Sequence, residues 1–176
     1  LTASNNTAVG GDALVSNTTG AQNTAVGEQA LQNCTTANGM TAVGRNALGS
    51  ITAATNCTAV GENAGDAKQT GDSLTAVGRN CLTNATGDRN TALGNNAGLS
   101  VSSATANVFV GHYAGMLHNP SSSTFVGDFA GYNTSGNGNT AIGQGALNGV
   151  SGTNNTAVGQ GANSSSSTSS NQFTLG

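Results

Sequence analysis

The sequence is poor in the residues that most globular proteins use to build a core or to bind charged partners. It has one proline, no tryptophan, six aromatic residues and 11 charged side chains, four basic and seven acidic, among 176 residues. The small net charge of −3 gives no electrostatic reason to bind nucleic acid or an anionic membrane surface. No apolar run approaches the roughly 18 residues of a membrane span, so we expect no membrane insertion.

Residues that carry chemistry are also scarce. The two histidines and seven carboxylates include no pair at a spacing that suggests a catalytic site. The chain lacks a Gly-x-Ser-x-Gly elbow, a Gly-Lys-Ser/Thr phosphate loop and Gly-Gly-x-Gly-x-Asp calcium repeats. Cys34, Cys57 and Cys81 lack the CxxC spacing of a zinc or redox site, so we expect free, semi-buried thiols. We therefore predict no enzyme activity, no cofactor and no bound metal.

The dominant feature is the pattern Asn-Thr-Ala-Val-Gly-x-x-Ala-Leu/Gly, which recurs every 16 or 17 residues along the whole chain. This period is too short for helical hairpins, and no helix-length stretch has apolar residues at 3–4 spacing. Thr-Ala-Val predicts one short strand, x-x-Ala-Leu predicts a second, and the Asn/Gly-rich segments between them predict turns. The expected fold class is all-β, a repetitive parallel β-roll or β-solenoid with about 11 coils. The repeat glycines are Gly10, Gly27, Gly44, Gly61, Gly78, Gly94, Gly111, Gly127, Gly143 and Gly159, with Gly176 in a degenerate eleventh copy.

Stacking of the coils would make equivalent residues nearest neighbours, and two columns support this. The position after the glycine forms a charge ladder of alternating sign, Glu28, Arg45, Glu62 and Arg79. The next position has the amides Asn46, Asn63, Asn80 and Asn96, which resemble the ladders that stacked strands favour. Exposed ion pairs add little stability, so we interpret the charge ladder as fixing the register of the coils.

The strand pattern also predicts an oligomer. Threonine and valine should share one face of each strand, and the alanine between them should face the other way. A strand that is apolar on both faces is buried on both, yet a thin coil can cover only one. We expect the valine column inside the coil and a second copy against the alanines, most simply in a parallel homotrimer. The core column would be Val9, Val26, Val43, Val60, Val77, Leu93, Val110, Val126, Ile142 and Val158.

These repeats resemble the β-roll repeats of trimeric autotransporter adhesin heads and, more closely, the longer-period repeats of bacteriophage tail fibres. The resemblance implies a left-handed parallel β-roll that is stable only as a trimer. Residues 170–176, Ser-Asn-Gln-Phe-Thr-Leu-Gly, are similar to the segment that precedes an intramolecular chaperone of the endosialidase type in phage fibres. We expect a repeat array over residues 1–163. Residues 164–176 would form a Ser-rich turn and a degenerate coil that leads into a further C-terminal region.

Five of the six aromatic residues lie between positions 109 and 132. Phe109 and Phe125 replace the alanine of the strand, and we expect them to pack, with Gly98, Gly115 and Gly131 replacing leucine to make room. The other aromatic residues favour a binding patch or packing about equally. For His112 we expect a surface pair with Asp128 rather than a metal ligand. The candidate patch is His112, Tyr113, Phe129 and Tyr132, with His118 nearby.

The sequence thus predicts a structural fibre segment that attaches to a bacterial surface, most like a phage tail fibre and located in the virion. Its partners would be further copies of itself and a bacterial surface glycan or protein. The alternative is a cell-surface trimeric adhesin or extracellular filament of a bacterium. An ice-binding solenoid, prompted by the threonine ladder, is less favoured because each coil has one such threonine and shares that face with valine.

Overall fold

The computed structural model describes residues 3–67, 72–117 and 119–176, and these form a single stack of coils. Each coil has one three-residue strand, and we number the coils by their strands. The strands are β1 (Thr7–Val9), β2 (Thr24–Val26), β3 (Thr41–Val43), β4 (Thr58–Val60), β5 (Thr75–Val77), β6 (Thr91–Leu93), β7 (Val108–Val110), β8 (Thr124–Val126), β9 (Thr140–Ile142), β10 (Thr156–Val158) and β11 (Phe173–Leu175).

The eleven strands form one parallel sheet in which sequence order equals spatial order. Each residue pairs with its equivalent one coil on, as Thr58, Ala59 and Val60 pair with Thr75, Ala76 and Val77. The all-β solenoid and the predicted register are therefore confirmed. Ten steps of roughly 4.8 Å give a stack about 48 Å long.

The second strand predicted from x-x-Ala-Leu is wrong, because this segment is a turn. In coil 3, both Asn46 (φ 57°) and Leu48 (φ 50°) are left-handed, which is incompatible with an extended strand. Asparagine tolerates this conformation, whereas leucine adopts it at a cost of about 1–2 kcal/mol. Leu48 is completely buried, so the burial of its side chain offsets the strain.

The repeat glycine ends each strand because no other residue fits there. Gly61 has φ +134°, and a Cβ on it would lie 2.6 Å from the carbonyl oxygen of Gly78 in the next coil. A side chain at this position would therefore force neighbouring coils apart. The close approach lets the Gly61 N–H donate to the Val43 carbonyl at 2.8 Å and so continues the ladder beyond the strand.

The face of the strand that points into the coil is the opposite of the one predicted. Ala59 is completely buried, whereas Val60 is 38% exposed. The coil is narrow, and alanine and leucine from the turn, such as Ala47 and Leu48, already fill it. Only a small side chain fits opposite them in most coils. In the single chain, the whole predicted core column is thus exposed or half-buried on the outer face: Val9, Val26, Val43, Val60, Val77, Leu93, Val110, Val126, Ile142 and Val158.

Candidate functional site

Two phenylalanines widen the interior of coils 7 and 8. Phe109 and Phe125 are completely buried, and their ring centroids are 5.6 Å apart. Glycine replaces leucine beside them, and a Cβ on Gly115 would lie 2.6 Å from Phe109 Cε1. The predicted compensation between the strand column and the turn column is therefore confirmed, and these two rings serve packing.

Three further aromatic side chains lie together with His112 on the outside of the same coils. The Tyr113 and Phe129 rings are 5.0 Å apart, and those of Phe129 and Tyr132 are 5.1 Å apart. Tyr113 also meets Tyr132 edge to face at 6.1 Å, and the imidazole of His112 is 3.8 Å from the Tyr113 ring. We call these four residues the aromatic corner. All of them are exposed or half-buried, while His118 lies outside the described residues.

Polar groups surround the aromatic corner. His112 Nδ1 lies 3.1 Å from Asp128 Oδ1, as the predicted surface pair requires, and both side chains are more than 40% exposed. Neither Tyr113 nor Tyr132 has a hydrogen-bond partner for its hydroxyl in the part of the chain that the structure describes. Free hydroxyls beside half-exposed rings can take a ligand with both an apolar face and polar edges.

The described residues contain no cluster of three or more His, Cys, Asp or Glu side chains that could hold a metal ion. Burial raises the pKa of all three cysteine thiols, that of Cys81 to about 12. A buried thiol with a raised pKa is a poor nucleophile and a poor metal ligand. The three thiols are buried more deeply than predicted. Cys34, Cys57 and Cys81 are all fully buried and form no disulfide.

The charge ladder forms in part. Glu62 accepts hydrogen bonds from Arg45 and, at 3.3 Å, from Nε of Arg79. The hydrogen bond from Arg45 is the largest cause that holds the pKa of Glu62 below its usual value. Glu28 acts on Arg45 only as a weaker, more distant charge. All these side chains are exposed to water, which screens the pairs and leaves them a role in register.

The predicted amide ladder is present on the neighbouring column. Asn46 Nδ2 donates to Asn63 Oδ1 at 3.3 Å, Asn63 to Asn80 at 3.2 Å and Asn80 to Asn96 at 3.2 Å. At coils 7 and 8 the same column changes to Tyr113 and Phe129. The aromatic corner therefore lies where a polar ladder that is continuous over four coils ends.

A second ladder, which was not predicted from the sequence, lies inside the stack. The residue directly before the strand is a buried asparagine or serine in six coils. Asn139 Nδ2 donates to the carbonyls of Gly136 (2.7 Å) and Gly152 (2.9 Å), and its Oδ1 accepts from the Asn155 N–H at 2.8 Å. The recurrence of asparagine directly before Thr-Ala-Val was the signal available in the sequence. The six residues are Asn23, Asn90, Asn107, Ser123, Asn139 and Asn155.

Comparisons with known protein families, with curated proteins and with solved structures find no match for this chain. Within the described residues, no helix is long and apolar enough to cross a bilayer.

Proposed function

We propose that this chain is a structural and adhesive fibre segment, most like a phage tail fibre, that assembles as a parallel homotrimer and attaches to a bacterial surface. The observation that carries the proposal is the outward valine column. Val43, Val60, Leu93 and Ile142 are 36–49% exposed in the single chain and lie one above another. Covering such a stripe along the whole length of the stack favours association of the chain with copies of itself.

A parallel trimer suits this stripe better than an antiparallel pair. The strands are in register along the whole stack, so three copies around one axis bring equivalent valines to the same level. Threonine lies on the same face two residues earlier and is also outward, as with Thr58 beside Val60. At the same height along the axis, threonine hydroxyls of the three copies would contact one another, and valines would contact valines. No hydroxyl would then pack against an apolar side chain.

Attachment by such a fibre relies on repetition. Three identical surfaces per trimer, and several fibres per particle, raise the effective concentration of weak sites and add avidity. A shallow surface such as the aromatic corner is then sufficient for binding.

The test measures assembly and attachment on the same sample. Light scattering should give a mass close to three times that of the 17.0 kDa chain, and the species should resist unheated SDS. The labelled protein should then bind cells from at least one strain in a panel of bacteria. A folded monomer would contradict the trimer, and a trimer that binds no strain would contradict adhesion.

The outward threonine column favours one second candidate, an ice-binding solenoid. Thr24, Thr41, Thr58 and Thr75 form a regular half-exposed row on the sheet. A monomer with thermal hysteresis would support this function, because an ice-binding face must stay uncovered. A trimer without hysteresis would exclude it.

A further inference from the structure

The aromatic corner replaces polar side chains on one outer column of the stack. Its ring column continues the amide ladder on one side and is followed by Gly145 and Gly161 on the other. Beside Tyr132, Leu117 is 44% exposed, and its N–H donates to the Tyr132 carbonyl at 2.9 Å. The interior does not require this surface, since Phe109 and Phe125 already fill the widened core of these coils.

We propose that the aromatic corner binds a hexopyranose unit of a bacterial surface glycan, an inference that rests on the proposed adhesive function. A pyranose ring has an apolar face of C–H groups and an edge of hydroxyls. The half-exposed rings of Tyr113, Phe129 and Tyr132 offer a surface for the first. The two phenol hydroxyls and the exposed pair of His112 with Asp128 offer donors and acceptors for the second.

The size of the corner favours a sugar over a protein. A fully covered aromatic side chain buries about 150–250 Å², so the three half-buried rings together offer less than about 270 Å². A specific protein interface needs about 800 Å² from each partner, and Leu117 adds only one side chain. One or two sugar units match the available surface, and repetition along the fibre compensates for their weak binding.

The backbone suggests a variant that removes the rings without disturbing the coil. Tyr113 (φ 57°) and Phe129 (φ 55°) are left-handed, as are Asn46 and Asn63 in the same column. Tyr113→Asn with Phe129→Asn therefore places in coils 7 and 8 the residue that other coils use. The matched control is Gly145→Asn with Gly161→Asn, at two further positions of this column where a Cβ would meet nothing within 4 Å.

The experiment uses saturation-transfer NMR with methyl glycosides of glucose, galactose, mannose and N-acetylglucosamine at millimolar concentration. We expect at least one glycoside to bind the unmodified protein through its ring protons. The Tyr113→Asn/Phe129→Asn variant should bind it about tenfold more weakly or worse, and the glycine control should bind it unchanged. Tyr132→Phe should weaken binding while the oligomer stays intact, because it removes only a hydroxyl.

Three results would overturn the inference. The first is a trimer that binds bacterial cells but none of the glycosides, which leaves the proposed function standing. The second is unchanged glycoside binding by the double asparagine variant, and the third is dissociation of its trimer, which would assign the rings to packing between copies. If the unmodified protein binds neither cells nor glycosides, the proposed function fails together with the inference.

Discussion

Gly131 packs so closely against Phe125 that a Cβ on the glycine would lie 2.3 Å from Cδ2 of the ring. Phe125 comes from the strand of coil 8 and Gly131 from its turn, yet both fill one space inside the coil. In coil 9 the same two positions are Ala141 and Leu147, both completely buried. Coils 8 and 9 thus fill the same interior space with a large side chain from different columns.

This exchange predicts a rescue. Phe125→Ala should cost about 3–5 kcal/mol of unfolding free energy because it leaves a cavity. Gly131→Leu should cost about 1–3 kcal/mol by overpacking. The double variant recreates the pair of coil 9, so its cost should be smaller than the sum by about 0.5–3 kcal/mol. Denaturant unfolding at one chain concentration measures all four proteins, and strict additivity would contradict the shared space.

A carboxylate should have different effects at two adjacent residues of one strand, on folding at one and on assembly at the other. Ala59→Asp places a carboxylate in the completely buried interior and should prevent folding of the chain. Val60→Asp should leave the coil folded, since Val60 faces outward, but should dissociate the proposed trimer by placing three carboxylates near its axis. Circular dichroism reports folding and light scattering reports mass.

Asn33→Asp is the control for added charge, because this exposed side chain lies away from the strand. It should affect neither folding nor mass. A Val60→Asp trimer as heat-stable as the unmodified protein would refute assembly through the valine column.

The buried ladder predicts that two asparagines two residues apart contribute differently to the unfolding free energy. Asn139→Ala removes the partners of two carbonyls and of the Asn155 N–H, all inside the stack. The expected loss is about 2–4 kcal/mol. Asn137 accepts from the Ser121 N–H at 2.8 Å on the exposed surface, where water can replace it. Asn137→Ala should cost below about 1 kcal/mol, and equal losses in denaturant unfolding would contradict the role of burial.

The thiol of Cys81 predicts a loss of stability in alkali. Burial raises its pKa to about 12 in the folded chain, compared with an ordinary value of 9.0. Between these values the unfolded chain loses a proton that the folded chain keeps. The contribution of this thiol to the unfolding free energy is therefore complete below about pH 9 and is lost as the pH rises towards 12. Cys34 and Cys57 act in the same direction.

Cys81→Ala isolates this contribution, since alanine occupies the same column in coil 4 (Ala64) and coil 6 (Ala97). Denaturant midpoints at about pH 7 and about pH 11 should show a smaller decline for the variant. Identical declines would mean that the thiol does not contribute.

The sequence predicted the elements that depend on repetition and missed those that depend on the curvature of the chain. The period fixed the coils, the register and the amide ladder because equivalent residues must stack. It could not tell whether Val60 or Ala59 faces inward, since alternation defines two faces without saying which one the chain bends around. The turn decides this, and its left-handed residues, such as Leu48, have no clear signal in a sequence where leucine normally favours regular structure.

The residues of the aromatic corner were predicted from the sequence, but their spatial arrangement was not. The column positions of Tyr113 and Phe129 follow from the period, and so does the proximity of His112 to Asp128. Tyr132 reaches the same place only because the turn brings the fifth residue after the glycine back towards the second. That return, again, depends on left-handed backbone conformations that local propensity does not anticipate.

The hydrogen bonds of the strands run only between neighbouring coils, and this determines how the stack can change in evolution. Each coil makes the same contacts above and below, so insertion or deletion of one whole repeat leaves the remaining contacts intact. The length of the stack is then set by its number of coils and changes in steps of roughly 4.8 Å. Reach and surface chemistry could therefore diverge independently, with length set by copy number and binding set by substitutions in one or two coils.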